Sequence, residues 1–161
     1  MIVRPAEGSD AAQMCAILNE IVEIGGTTAQ EDVVSLAVFH AQVFENENLV
    51  SCFVAEQDGV VLGYQKLGRR DDLPEDCGDI ATFARASNKV KGVGRALFAR
   101  TVEAARGAGF AQINAHIRSD NVPGMAYYAA IGFMPFDVRK GVPLKDGTPV
   151  DRMLKRYDLT T

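Results

Sequence analysis

Apolar positions along this chain change period repeatedly, and each change predicts an element. A short apolar stretch at residues 2–4 reads as a strand. Met14, Ile17, Leu18, Ile21 and Val22 then recur at helical spacing behind Ser9 and Asp10, which can cap the helix, and Gly25 and Gly26 end it. Residues 32–47 carry Val33, Leu36, Ala37, Phe39, Val43 and Phe44 and predict a second helix with a less sharply drawn apolar face. Branched and aromatic residues dominate 49–55 and 60–67, with Gln57, Asp58 and Gly59 as a turn between them, so the two read as a hairpin. A polar loop over 69–78 leads to a strand at 79–86, a glycine-bearing turn and a helix over 92–107 that buries Val93, Leu97, Val102 and Ala105. A strand at 111–117 follows, then a helix at 122–131 closed by Gly132. Strands at 133–140 and 150–159, around the turn Lys145, Asp146, Gly147, complete the order β-α-α-β-β-β-α-β-α-β-β. This is an α/β chain of the α+β kind, expected to form a single domain over residues 1–161.

Composition narrows the function classes. With 47% hydrophobic and 24% charged residues the chain falls in the globular range, and no apolar run approaches the roughly 20 residues of a membrane span. It is expected to be soluble, with no leader segment and no membrane partner. A net charge of -4 argues against a nucleic-acid partner. Locally, though, Arg85, Lys89, Lys91, Arg95 and Arg100 occur between positions 85 and 100 with no acidic residue, a positive patch suited to a small polyanion. Cys15, Cys52 and Cys77 form no CxxC pair and read as free thiols of a reducing cytoplasm. With only His40 and His116 available, no metal site is expected.

The turn that carries this charge lies between a strand and a helix start, where unpaired N–H groups and the positive end of the helix dipole attract phosphate. Gly92 and Gly94 keep side chains from holding a pyrophosphate away from those amides, and Lys89, Lys91 and Arg95 add mobile charge. A triphosphate loop of the form GxxxxGK[ST] is absent, and Leu97 stands where a dinucleotide fingerprint needs its third glycine. By themselves the two glycines could equally serve close packing of helix on sheet.

Further along, Asn121 and Tyr128 sit two helical turns apart on one predicted face, and Ile131, Gly132 and Phe133 close that helix. Here the chain resembles the GNAT acetyltransferase superfamily. Lys89 through Gly94 is similar to its Q/R-x-x-G-x-G/A motif, and Asn121 through Phe133 is similar to its N-x6-Y-x3-GF motif. Lys89 stands where relatives carry Gln or Arg, and Ala86 and Ser87 replace a frequent Pro-Glu. The resemblance implies a mixed, mostly antiparallel splayed sheet of about seven strands flanked by about four helices. It implies acetyl-CoA as acyl donor: Thr82, Phe83 and Ala84 would pair with the pantetheine arm, and Val90, Lys91, Gly92, Val93, Gly94 and Arg95 would cradle the pyrophosphate. Asn121 would hold the pantetheine or a nearby water, and the Ala84 amide, at the family's strand bulge, would stabilise the oxyanion.

Acetyl transfer also needs a proton for the departing thiolate and a neutral amine. Tyr128 is the expected proton donor, favoured over its neighbour Tyr127 by the spacing from Asn121. The base is open: Asp79 at the edge of the fourth strand, His116 on the next strand, or a water chain. The resemblance directs the acceptor to the loop holding Thr27 and Thr28. A likeness to the phosphinothricin-type branch, through Arg4, Pro5, Ala6, Asp10, Ile17, Asn19, Ile21, Val22 and that loop, favours an amino-acid-like small-molecule amine. A protein amine, or binding of acyl-CoA without catalysis, are the alternatives, and the C-terminal strands offer edges for a homodimer.

Overall fold

The computed structural model describes residues 1–87 and 89–161. Seven strands form one sheet: β1 (Ile2–Pro5), β2 (Leu49–Gln57), β3 (Val60–Gly68), β4 (Cys77–Ala84), β5 (Gln112–Arg118), β6 (Met134–Pro143) and β7 (Pro149–Asp158). Their spatial order is β1-β2-β3-β4-β5-β7-β6, with β4 and β5 parallel and every other pair antiparallel. The helices are α1 (Ala11–Ile24), α2 (Leu36–Phe44), α3 (Val93–Gly107) and α4 (Val122–Ala130).

Alternation along the strands divides the core between two faces. On one, Met14, Ile17 and Leu18 of α1 and Phe39 of α2 pack against Val54, Tyr64 and Phe83. On the other, Phe98, Ala105 and Tyr128 of α3 and α4 pack against Ile80, Ile113 and Ala115.

Where elements differ from their predicted bounds, a side chain has claimed the backbone. The second helix begins at Leu36 rather than near residue 32, because the Asn19 amide donates to the Val34 carbonyl at 2.9 Å and accepts from the Val34 amide at 2.9 Å. That reciprocal pair holds the chain extended until the Ser35 side chain caps Val38 at 3.2 Å. β4 stops at Ala84, since the next free amides, of Ala86 and Ser87, are bound by Glu20 of α1 at 2.8 and 3.4 Å.

Asp10 makes no cap bond to α1. Instead its buried carboxylate takes a two-pronged bond from Arg4, both contacts at 2.8 Å, and the Glu7 amide at 2.8 Å. The Arg4 bonds hold Asp10 below its ordinary range, so its contribution is complete above about pH 4 and is lost as pH falls through the lowered value. Asp10→Ala, which leaves Arg4 with Glu56 as its remaining carboxylate, is expected to cost about 2 kcal/mol in denaturant unfolding at pH 7. The difference from the parent should shrink in acid.

Candidate active site

Parallel pairing of β4 with β5 runs only from Cys77 opposite Gln112 to Ile80 opposite Ala115. Beyond it, residues 81–84 pair with β3 alone and residues 116–118 with β7 alone, so the sheet splits. A cleft of about 920 Å3 occupies the split, from the turn before α3 to the loop after α1. The Arg85 amide donates to the Leu62 carbonyl at 2.9 Å, so by the alternation of an antiparallel ladder Thr82 and Ala84 turn their N–H and C=O groups away from β3, into the gap. The register of β3 on β4 carries no bulge over these residues.

At the α3 end the first intrahelical bond runs from the Ala96 amide to the Gly92 carbonyl at 3.0 Å. The amides of Val93, Gly94 and Arg95 therefore have no acceptor within the helix. Gly92 adopts a φ of +86°, and a Cβ there would meet nothing within 4 Å, so this residue shapes the turn and leaves open space in front of the amides. Gly94 serves a different end: a Cβ there would lie 2.4 Å from the Tyr127 ring, so its absence lets α4 close against α3. Lys89, Val90 and Lys91 are exposed at the cleft mouth, and Arg95 reaches the Ala130 carbonyl at 3.5 Å. Open amides, an unobstructed glycine and flanking cations fit a pyrophosphate.

Two tyrosines meet the face of the split that α3 and α4 cover. The Tyr128 hydroxyl lies 2.9 Å from Thr82 Oγ1, which also accepts from Gln65 Nε2 at 2.9 Å. The Tyr127 hydroxyl donates to the Gly94 carbonyl at 2.8 Å and accepts from Gln65 Nε2 at 3.1 Å. Burial pushes the Tyr128 phenol well above its ordinary value and raises Tyr127 as well, so both remain protonated at neutral pH.

On the opposite face, Asp79 Oδ1 sits 3.0 Å from His116 Nδ1 and accepts from Asn114 Nδ2 at 3.1 Å, with Arg70 3.7 Å from Oδ2. Asn114 is itself fixed by a 2.6 Å bond from Arg156. His116 Nε2 is covered and has no hydrogen-bond partner among the described residues. Nδ1 faces Asp79 Oδ1 and, also at 3.0 Å, the Asn114 Nδ2 donor; the tautomer with its proton on Nδ1 directed at Asp79 is the one that leaves the Nε2 lone pair free.

Thr27 and Thr28 line the acceptor end, where their carbonyls are tied down by Asn121 Nδ2 at 2.9 Å and Arg118 Nη1 at 3.1 Å. Asn121 also caps α4, accepting from the Gly124 amide at 3.0 Å. The structure thus brings Asp79, Thr82, Ala84, Tyr128, the glycine turn and the threonine loop to one cleft. Three contributors had no place in the sequence expectations: Gln65, Glu20 and Arg118. Gln65 alone left a trace, as a polar residue inside an otherwise apolar strand run.

Comparison with known proteins gives a consistent set of relatives. Residues 13–133 match the acetyltransferase (GNAT) family. The L-amino acid N-acyltransferase MnaT of Escherichia coli is 25% identical over 147 residues, 83% of this chain and 80% of that protein. The solved ribosomal-protein-alanine N-acetyltransferase of Brucella melitensis superposes with a TM-score of 0.88 at 26% identity, over 98% of this chain and 99% of its own. A phosphinothricin acetyltransferase of Sinorhizobium meliloti, solved with acetyl-CoA, superposes with a TM-score of 0.82 at 23% identity, over 98% and 87% of the two chains. Among the described residues no helix is long and apolar enough to cross a membrane, and no three metal-ligating side chains converge.

Proposed function

This chain belongs to the acetyltransferase (GNAT) family, and from that premise we propose that it moves the acetyl group of acetyl-CoA to the primary amine of a small, amino-acid-like acceptor within one ternary complex. The carrying observation is the disposition of Tyr128 and His116 about a single split in the sheet, the phenol on the α3 and α4 face and the orphaned imidazole nitrogen on the α1 and α2 face.

Acetyl-CoA supplies a thioester carbonyl open to attack. The amides of Val93, Gly94 and Arg95 hold its pyrophosphate, with Lys89 and Lys91 screening the charge. Residues 82–84 offer their free backbone groups to the pantetheine arm, in the manner of an added strand. His116 Nε2, oriented through Asp79, takes a proton from the acceptor nitrogen as the C–N bond forms. The Ala84 amide faces the developing oxyanion. As the C–S bond breaks, Tyr128 donates its hydroxyl hydrogen to the sulfur, and the Thr82 hydroxyl holds the phenol in line. The raised Tyr128 value makes the phenol a persistent hydrogen-bond donor, not an acid that ionises early.

Closure of the acceptor end by Thr27 and Thr28, strapped to Asn121 and Arg118, supports a small acceptor over a peptide lying in an open groove. The E. coli relative's amino-acid specificity points the same way, while the Brucella relative keeps a protein amine as the second reading. Cysteines that are all free accord with a reducing cytoplasm. The edge strand β6 is the surface for a homodimer, with Met134 and Phe136 exposed along it.

The test is free-thiol release from acetyl-CoA across amino acids, their analogues, polyamines and peptides, with acetyl-CoA binding followed by calorimetry in the same preparation. Release with amino-acid-like amines is the expected result. Release with peptides alone would transfer the assignment to the protein-amine reading, and binding without release from any amine would leave an acyl-CoA-binding module.

A further inference from the structure

Three arginines stand in a row across the C-terminal half of the sheet. Arg118 of β5 lies directly opposite Arg152 of β7, and Arg152 lies directly opposite Arg139 of β6. Paired positions share a face, so all three point to the α1 and α2 side, and all three line the cleft. Like charges at such spacing repel, and a folded chain tolerates the row only where each charge is answered.

Two of the three are answered from within the protein. Arg118 grips Asp120 with two bonds of 2.9 and 2.7 Å. Arg139 meets Asp72 at 3.2 Å. Arg152, in the middle, has no ion pair or side-chain hydrogen bond among the described residues, and its Nη1 is sealed from solvent without a partner. Asp120 feels Arg152 only through space, its oxygens being committed to Arg118. A guanidinium set between two other cations in the lining of the cleft, with one nitrogen lacking any partner among the described residues, is arranged to receive an anion.

The strand register locates that anion relative to the chemistry. Leu154 is opposite His116 and Arg152 is opposite Arg118, so Arg152 lies one strand over and two residues along from the imidazole. At about 3.3 Å per residue and 4.8 Å between strands, the two Cα positions are about 8 Å apart. A small molecule can span that interval with an amine at one end and a negative group at the other.

We propose that Arg152 anchors an oxyanion carried by the acceptor, a carboxylate or a phosphorus oxyacid, and thereby sets which amines are acetylated. This rests on the acetyl-transfer reading and adds to it the acceptor's second group and the residue that selects it. Arg118 is occupied by Asp120, and Arg139 shares Asp72 with Arg70, which leaves Arg152 as the one of the three with no carboxylate among the described residues.

Two measurements test it. In the first, kcat/KM is compared for amino acids, their uncharged amides and aminoalkylphosphonic acids, with the parent chain, Arg152→Met and Arg152→Lys. The preference for acid over amide should fall by about tenfold to a hundredfold in Arg152→Met and return in part in Arg152→Lys. The phosphonic arm reports which oxyanion fits better. In the second, CoA-loaded protein is titrated calorimetrically with a set of N-acetyl amino acids and their amides, which requires no turnover. Tighter binding of acids by the parent, lost in Arg152→Met, is the expected result. Equal binding of acids and amides by the parent, or a preference untouched by Arg152→Met in a protein with an unchanged melting profile, overturns the proposal. Failure of acetyl transfer with every amine, beside a clear acid preference in the titration, would instead count against the reaction and leave the anion site standing.

Discussion

Replacing Tyr128 by Phe is expected to lower kcat about a hundredfold while acetyl-CoA affinity stays within a few-fold of the parent. The substitution removes one oxygen and keeps the ring that packs against Phe133. Thr82 Oγ1 retains its bond from Gln65, so the loss to folding should be only about 1 kcal/mol. Tyr127→Phe is the informative contrast. Its hydroxyl donates to the Gly94 carbonyl in the first turn of α3, so its removal should raise the KM for acetyl-CoA more than it lowers kcat. Because burial raises the Tyr128 value, parent activity should also persist as pH rises through 10, where an ordinary phenol begins to ionise. A Tyr128→Phe enzyme with unchanged kcat, or one whose defect lies wholly in acetyl-CoA binding, would remove the phenol from the reaction.

That contrast shows what could be read from the residues and what could not. Element order and the approximate place of each strand and helix followed from period and punctuation, since local patterning determines these. The family's spacing from Asn121 supplied the choice of Tyr128 over Tyr127 as the expected proton donor. It could not reveal that Gly94 is required by the Tyr127 ring and only Gly92 by the turn, a distinction that depends on the packing of α4 against α3. The second helix was overextended because residues 32–35 keep helical spacing of apolar groups while Asn19, more than ten positions away, captures the Val34 backbone. Asp79 and His116 were separate candidates along the chain. Parallel register unites them: with Asp79 opposite Asn114, the next residue on that face of β5 is His116.

The same register keeps the proposed acid and base apart. Odd positions of β4 face α1 and α2, and even positions face α3 and α4, so Asp79 and Thr82 lie on opposite sides of one strand. A continuous sheet would wall these groups off from each other. Loss of pairing after Ile80 opens a passage between them along β4, and there no strand pairs the amides of Thr82 and Ala84. The chemistry depends on a sheet that ceases to pair two residues past Gly78.

His116→Ala should accordingly reduce kcat by about a hundredfold near neutral pH, with the deficit narrowing as pH rises. The direction follows from the acceptor: an α-amine whose pKa lies above neutrality arrives protonated at neutral pH and must lose that proton before it attacks, whereas in alkaline solution it arrives neutral and only the proton shed on C–N bond formation remains, which hydroxide can take in place of the imidazole. Asp79→Asn should be nearly as damaging despite its similar size. An amide in place of the carboxylate can offer an N–H to Nδ1, which moves the ring proton to Nε2 and turns the acceptor nitrogen into a donor. It also removes the more distant of the two carboxylates around Arg70, which keeps Asp72. Full rate profiles against pH for the parent and both variants separate the possibilities. Parallel losses that fade in alkali would support the pair acting as one base. A His116→Ala profile matching the parent would transfer proton removal to water, and a normal Asp79→Asn enzyme beside a crippled His116→Ala enzyme would reduce Asp79 to a structural partner of Asn114.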